Sequence, residues 1–379
     1  MKRFLFFLVP ACILVFGGCG GKPENPAGET QVVADDPEKI NKLIADYLHD
    51  HFAKADTSKR FRISADSITA YPEVIKFYSS LGDKPIWSDK GKLNASGDSM
   101  WAVVKDAESY GLIPGDYHYS VIDSLLKNSY DSVKEQFNVN RLAQTDMMLT
   151  DAFFTFAVHV SVGRIDNDSS TARSWKIHRL DTDLVSVLAS TLKANTFRKT
   201  FAALEPQRME YQSIKKYMND YRRKYAGITW AHLPDRKEDS TGFFAGVKER
   251  LIEYGDYDTA STEKDSLKLS NALKKFQKRF FLEQDGKIGR NTILTLDMTP
   301  QDWTRQLAMN MERWRWEPEK FEKRHMIVNL PVFKMTVWEA DTIVMQSKIV
   351  CGAVKTQTPE LDSKMNQIIL YPFWNVPYS

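Results

Sequence analysis

The chain has 379 residues, 42% of them hydrophobic and 27% charged. That balance excludes a disordered chain and gives enough length for two or three domains. Its 52 Lys and Arg stand against 49 Asp and Glu, a formal net charge of +3, so no global field argues for a nucleic-acid partner.

The N-terminus reads as a targeting segment. Lys2 and Arg3 precede an apolar run from Phe4 to Phe16 that is too short to span a bilayer. Gly17-Gly18-Cys19 follows, and the arrangement resembles the lipobox of bacterial lipoproteins, with Phe16 departing from the usual Leu. The resemblance implies a signal peptide over 1–19, lipidation of Cys19, and a membrane partner reached through an N-terminal lipid anchor rather than a spanning helix. An ordinary secretory signal with an incidental cysteine is the alternative. Gly20 lacks the Asp associated with inner-membrane retention, so the expected location is the cell envelope, as an outer-membrane lipoprotein facing the periplasm. Residues 20–36 carry Gly, Pro and Glu without apolar periodicity and read as a flexible tether. Cys12 would leave with the signal and Cys19 would be lipidated; Cys351 alone remains, so no intramolecular disulfide is expected.

From Pro37 the pattern turns helical, with Ile40, Leu43, Ile44, Tyr47 and Leu48 at three- and four-residue spacing. His49 and His51 fall on different sides of that helix, so they do not form a metal pair. A second amphipathic helix is expected from Ile68 to Ser80, capped by Asp66 or Ser67. Gly111 suits a helix C-cap and Pro114 stops continuation. Leu142 to Gly163 reads as a helix with His159 packed inside it, ended by Gly163-Arg164-Ile165-Asp166 ahead of Trp175. Leu180–Leu192, Phe197–Leu204 and Tyr211–Tyr225 complete an all-helical reading of 37–235. These pieces resemble the scaffold region of long L,D-transpeptidases.

Residues 240–298 form a second module. A helix from Phe244 to Tyr254 breaks at Gly255, and Leu269, Leu273 and Phe276 share one face of the next. Asp285-Gly286 supplies a turn with positive φ, Gly289 a bend permitting tight approach, and another helix follows. Ala272, Phe276, Gln277, Asp285, Gly286, Ile288, Gly289, Thr292 and Leu296 resemble the peptidoglycan-binding domain of cell-wall enzymes, with Phe281 where that family has Gly. The resemblance implies peptidoglycan as partner, both its stem peptides and its glycan. It singles out Phe276, Gln277, Asp285, Gly286, Gly289 and Thr292 as the module's motif, largely structural in role.

Trp303 to Trp316 reads as a linker helix within 301–320, and Asn310-Met311-Glu312-Arg313-Trp314-Arg315-Trp316 resembles the corresponding helix of long L,D-transpeptidases. Over 325–379, short β-branched runs bounded by Pro, Gly and Asp read as strands. Val328 to Phe333 resembles the first strand of that family's catalytic domain, Ile349 to Gly352 a later strand end, Thr358-Pro359 a loop, and Tyr371 to Pro377 a further segment. The fold expectation is therefore multidomain α+β: an all-α N-terminal scaffold, a three-helix peptidoglycan-binding-like module, and the start of a β-rich L,D-transpeptidase catalytic domain.

The resemblance implies peptidoglycan cross-linking by acyl transfer. A cysteine thiolate attacks a stem-peptide carbonyl, D-alanine leaves, and an amine from a second stem resolves the thioester. The family's Ser-His-Gly-Cys-x-Arg motif does not occur in this sequence. No catalytic residue, metal ligand or cofactor is assigned, and Cys351 is read as a small apolar residue buried in a strand. Strands that stop at Ser379 lack partners, so the last stretch is expected to be poorly ordered or aggregation-prone. The other reading is a non-catalytic peptidoglycan-binding lipoprotein. A glycan hydrolase is disfavoured, since no acidic spacing singles out a pair.

Overall fold

Asp36 starts the first helix by accepting the Glu38 N–H on its side chain, and Pro37 lies in the first turn. A computed structural model describes residues 31–55, 61–64, 66–165, 181–317, 321–353, 355–359 and 363–370 of the chain. The signal segment with Cys19, Asp166, Trp175 and Tyr371 to Ser379 lie outside the described residues. The chain divides into two compact units, one of Met1–Trp101 with Gly115–Phe154 and one of Ala102–Pro114 with Thr155–Ser379.

In the first unit, α1 (Pro37–Phe52) buries Ile40, Ile44 and Leu48, the stripe its periodicity announces. The second helix, α2 (Tyr71–Leu81), begins later than Ile68. Asp66–Ser67 instead pairs with Arg62–Ile63 as a short antiparallel ladder, and the N-cap is Ala70, which has no side-chain cap. Gly82 ends α2 at φ +65. Next come α3 (Ala95–Lys105), α4 (Tyr119–Lys127) and α5 (Val139–Val162), of which the last residues of α3 and α5 belong to the second unit. Tyr71, Val74, Phe77, Trp87, Ile122 and Met147 are among the buried side chains of this unit.

The all-α expectation for 37–235 needs correction. Ser88–Asp89 pairs with Lys92–Leu93, and Gln136–Asn138 pairs with both Val33–Ala34 and Tyr130–Asp131. Ladders of two or three residues close turns between helices. They are too short to show the two-residue alternation by which strands are read.

The second unit contains α6 (Leu184–Ala194), α7 (Phe197–Leu204), α8 (Met209–Lys224), α9 (Ser240–Glu253), α10 (Asp265–Arg279), α11 (Arg290–Leu296) and α12 (Pro300–Trp316). Thr299 and Asp302 form a capping box that starts α12. Helices α8 and α12 pack along each other, with Tyr211, Met218 and Met311 buried between them. Phe243, Val247 and Leu251 of α9, Ala272, Leu273 and Phe276 of α10 and Leu296 of α11 form one core with Tyr257.

A three-stranded antiparallel sheet comes after α12, with Lys334–Glu339 between Arg324–Asn329 and Thr342–Lys348. Its register sets Val328 opposite Met335, and His325 opposite Trp338. The segment from Val328 to Phe333 is not one strand. Leu330–Val332 forms a 3-10 turn and Phe333 takes φ +52, because Pro331 cannot donate to a ladder. Cys351 also departs from expectation: it lies past the last strand, in irregular chain, and is only partly buried. No described side chain of this sheet is fully buried. Among the described residues no helix is long and apolar enough to cross a membrane.

Candidate functional site

Of the six motif residues of 240–298, hydrogen bonds join four: Gln277, Asp285, Gly286 and Thr292. Gln277, one turn from the C-terminus of α10, is buried. Its Nε2 donates to Asp285 Oδ1 at 2.8 Å, to Lys287 O at 2.9 Å and to Thr292 Oγ1 at 3.2 Å. Its Oε1 accepts the Gly286 N–H at 2.9 Å. One amide thus ties the Asp285-Gly286 turn to the first turn of α11. Asp285 also accepts the Lys287 N–H, which together with Gln277 holds its carboxyl below the usual carboxylate range.

The two motif glycines differ. Gly286 has φ +68, and a Cβ there would stand 2.5 Å from Ser270 Oγ. Gly289 caps α11 in extended backbone at φ −84, and a Cβ would meet nothing within 4 Å. The tight approach expected at Gly289 is therefore absent, and its role is that of an N-cap. Phe276 lies in the hydrophobic core. Phe281 holds the left-handed position, φ +56, just past the end of α10, where the Leu282 N–H donates to Gln277 O at 2.8 Å. The turn survives a residue without glycine's freedom there.

A cavity of about 420 Å³ opens beside this module, lined by groups that the motif does not include. Tyr217, Asp220, Tyr221 and Lys224 come from α8, and Tyr225 follows it; Tyr254, Arg279 and Phe280 stand at the ends of α9 and α10; Trp303 and Leu307 come from α12. The rings form a chain. Tyr217 meets Tyr221 at 6.1 Å between centroids, and Tyr221 meets Tyr225 at 4.5 Å. Tyr254 meets Phe280 edge-on at 5.9 Å, and Phe280 stacks on Trp303 at 5.0 Å. Trp303 Nε1 donates to the Tyr254 hydroxyl at 3.0 Å. The sequence signal for this wall is a tyrosine every fourth residue at 217, 221 and 225, which puts one ring above the next on a helix. The same spacing also describes a packing stripe, so spacing alone does not mark a cavity.

Other polar groups sit in places suited to holding the fold. Asp146 is buried and accepts from Tyr78 Oη at 2.5 Å, from the N–H groups of Ile86 and Trp87 at 2.9 and 3.0 Å, and from Ser88 Oγ at 3.3 Å. Burial nonetheless pushes its carboxyl up to about 6. His118 bridges Asp66 at 3.0 Å and Asp151 at 2.7 Å. His159 is pushed down to about 4, by burial first and then by the charges of Arg164 and Arg315. His49 pairs with Asp83 and His51 with the Tyr71 hydroxyl, so the two imidazoles serve separate contacts. Among the described residues no group of three or more His, Cys, Asp and Glu could hold a metal ion. Cys351 Sγ lies 3.9 Å from the Leu330 carbonyl oxygen. His325 Nδ1 contacts the Glu322 carbonyl oxygen, and its ring stacks on Trp338.

Two stretches match described families. Residues 72–218 match one described as "Scaffold domain". Residues 245–296, which hold most of α9 with all of α10 and α11, match one described as "Putative peptidoglycan binding domain". The chain is also 28% identical over 101 residues to a "Putative L,D-transpeptidase" of Haemophilus influenzae (strain ATCC 51907 / DSM 11121 / KW20 / Rd), an alignment covering 25% of this chain and 20% of the relative. A scaffold domain, a peptidoglycan-binding domain and this weak homology together are consistent with the long L,D-transpeptidase family.

Proposed function

We propose that this protein works at the bacterial cell wall, engaging peptidoglycan through residues 240–298 within an L,D-transpeptidase-type architecture. The observation that carries this reading is the match of 245–296 to a peptidoglycan-binding family, over a stretch whose three helices share one core. Retention of the full chain on purified sacculi tests it; a chain that washes through with a non-binding control protein counts against it.

The cross-linking chemistry is the finer part of the proposal, because the relative is matched over only 20% of its length. On this reading, 37–235 is the scaffold, 301–320 the linker helix and 325–379 the opening strands of a catalytic domain. The acyl transfer then needs a cysteine and histidine held together with oxyanion donors. Cys351 is not the group we assign to that role, since its contact is a main-chain carbonyl rather than an activating base. Sequencing the coding region past the Ser379 codon checks this. A Ser-His-Gly-Cys-x-Arg segment there supports the enzyme, and a stop codon supports a non-catalytic binding protein.

The proposal extends to a signal peptide over 1–19, a tether over 20–36, and a lipid on Cys19 that anchors the chain to the outer membrane facing the periplasm. Cys19→Ser is expected to move the protein from the membrane fraction to the soluble fraction. Unchanged fractionation of that variant excludes the anchor.

A further inference from the structure

The motif of the peptidoglycan-binding module is engaged with itself. Gln277 is buried, and among the described residues its side-chain hydrogen bonds go to Asp285, Gly286, Lys287 and Thr292. A glycan needs other groups to hold it. We propose that the cavity walled by Tyr217, Tyr221, Tyr254, Phe280 and Trp303 binds a saccharide ring of the glycan strand. This rests on the peptidoglycan reading above and deepens it, moving the sugar contact from the motif to the cavity.

Chemistry comes first. A pyranose ring has apolar C–H faces and a polar rim, so it suits a site with aromatic walls and a few hydrogen-bonding groups. The cavity is lined by six aromatic residues, four of them tyrosines. Its volume of about 420 Å³ is in the range of small-molecule sites. Tyr254, Arg279 and Phe280 belong to the very stretch that matches a peptidoglycan-binding family, so the cavity is continuous with that module.

Two further observations favour a sugar. Among the described residues Tyr221 Oη is buried with no hydrogen-bond partner, an unfavourable state that a ligand hydroxyl can relieve after a small movement. Tyr217, at 60% exposure, leaves most of its ring open for stacking. The charged groups are already matched: Asp220 with Lys216 and Arg223, Arg279 with Asp256, and Lys224 with Glu253. A wall without a free excess of positive charge favours a neutral sugar over the carboxylate-bearing stem peptide.

The test uses the full chain and its Tyr217→Ala and Tyr217→Trp variants. Retention on purified sacculi is measured, with calorimetric titration of an N-acetylglucosamine tetramer and, separately, of a free stem tetrapeptide. Thermal melts establish that all three proteins are folded. The expected result is retention and tetramer binding by the wild type, about tenfold weaker for Tyr217→Ala and kept in Tyr217→Trp. If Tyr217→Ala binds sacculi as well as the wild type, the cavity proposal fails and the peptidoglycan reading stands. If the wild type is not retained, the peptidoglycan reading fails; Tyr217-dependent tetramer binding still supports the cavity as a saccharide site. Absence of tetramer binding overturns the proposal in every case. Tighter, Tyr217-dependent binding of the tetrapeptide overturns it in favour of a peptide site.

Discussion

Glu312 accepts the main-chain N–H of Arg164 on its Oε1 at 2.5 Å, joining the end of α5 to α12 across 148 residues of sequence. The same oxygen accepts from the Ile165 N–H at 3.2 Å and from Trp316 Nε1 at 3.3 Å. Its other oxygen takes Arg315 Nη1 at 3.1 Å, and Arg315 Nη2 donates to Tyr110 O at 2.5 Å and to the Tyr211 hydroxyl at 2.9 Å. Gly163 makes room: at φ +93, a Cβ there would stand 2.5 Å from Glu312 Oε1.

Removing either Glu312 or Arg315 should therefore loosen the second unit. Glu312→Ala leaves two main-chain N–H groups and the buried Arg315 without their carboxylate, at an expected cost of about 3 kcal/mol. Arg315→Lys should also destabilise, since an ammonium cannot reproduce the fork that reaches Tyr110, Tyr211 and Glu312 at once. Urea denaturation of each variant checks this, and midpoints equal to the wild type would refute the linkage.

Gln277 makes a parallel case within the module. Gln277→Leu keeps the volume but leaves the Gly286 N–H and Thr292 Oγ1 without that partner. A loss of about 2 kcal/mol is expected. If the module's stability is unchanged, the amide staple contributes nothing and the motif has some other role.

Phe281 invites the opposite change. It is 82% exposed and sits at φ +56, where an L-residue is strained by about 1 kcal/mol. Phe281→Gly should stabilise the module by about that amount, less the greater chain entropy glycine brings to the unfolded state. A lowered melting temperature for this variant would show that the ring has a packing role the geometry does not reveal.

His118 should make the first unit sensitive to alkali. Burial acts against its charge, but hydrogen bonds to Asp151 and Asp66 outweigh burial and raise it to about 9, from an ordinary value of 6.5. A folded value above the unfolded one gives stability that is complete below about pH 6.5 and is lost as pH rises through about 9. The shift corresponds to about 3 kcal/mol as an upper figure. Wild type minus His118→Asn, measured by denaturation between pH 6 and 10, should shrink across that window. A difference that stays constant or grows would mean that the two aspartates do not hold the histidine charged.

Much of the helical framework is encoded locally. The Asp36 cap, the α1 stripe of Ile40, Ile44 and Leu48, the Phe197–Leu204 helix and the turn at Asp285-Gly286 arise from spacing and backbone preference, which act over a few residues. Helix starts are less legible. The start of α2 moves past Asp66 and Ser67 because those residues enter a ladder with Arg62 and Ile63. Val328 to Phe333 resembles one strand of the related family, yet Pro331 turns the chain.

By itself, then, the sequence determined several of the helices, though not α4, together with the motif of 240–298 and its resemblance to a peptidoglycan-binding domain. Those depend on periodicity and on residues within one turn or loop. Tertiary structure decided what each group does. It folded Gln277 inward onto Asp285, Gly286 and Thr292, and buried Arg315 under Tyr110 and Tyr211. It also gathered Tyr217, Tyr254, Phe280 and Trp303 from four separate helical segments around one cavity. Contacts between residues far apart in the chain arise from packing of whole helices, and no local spacing encodes which faces will meet.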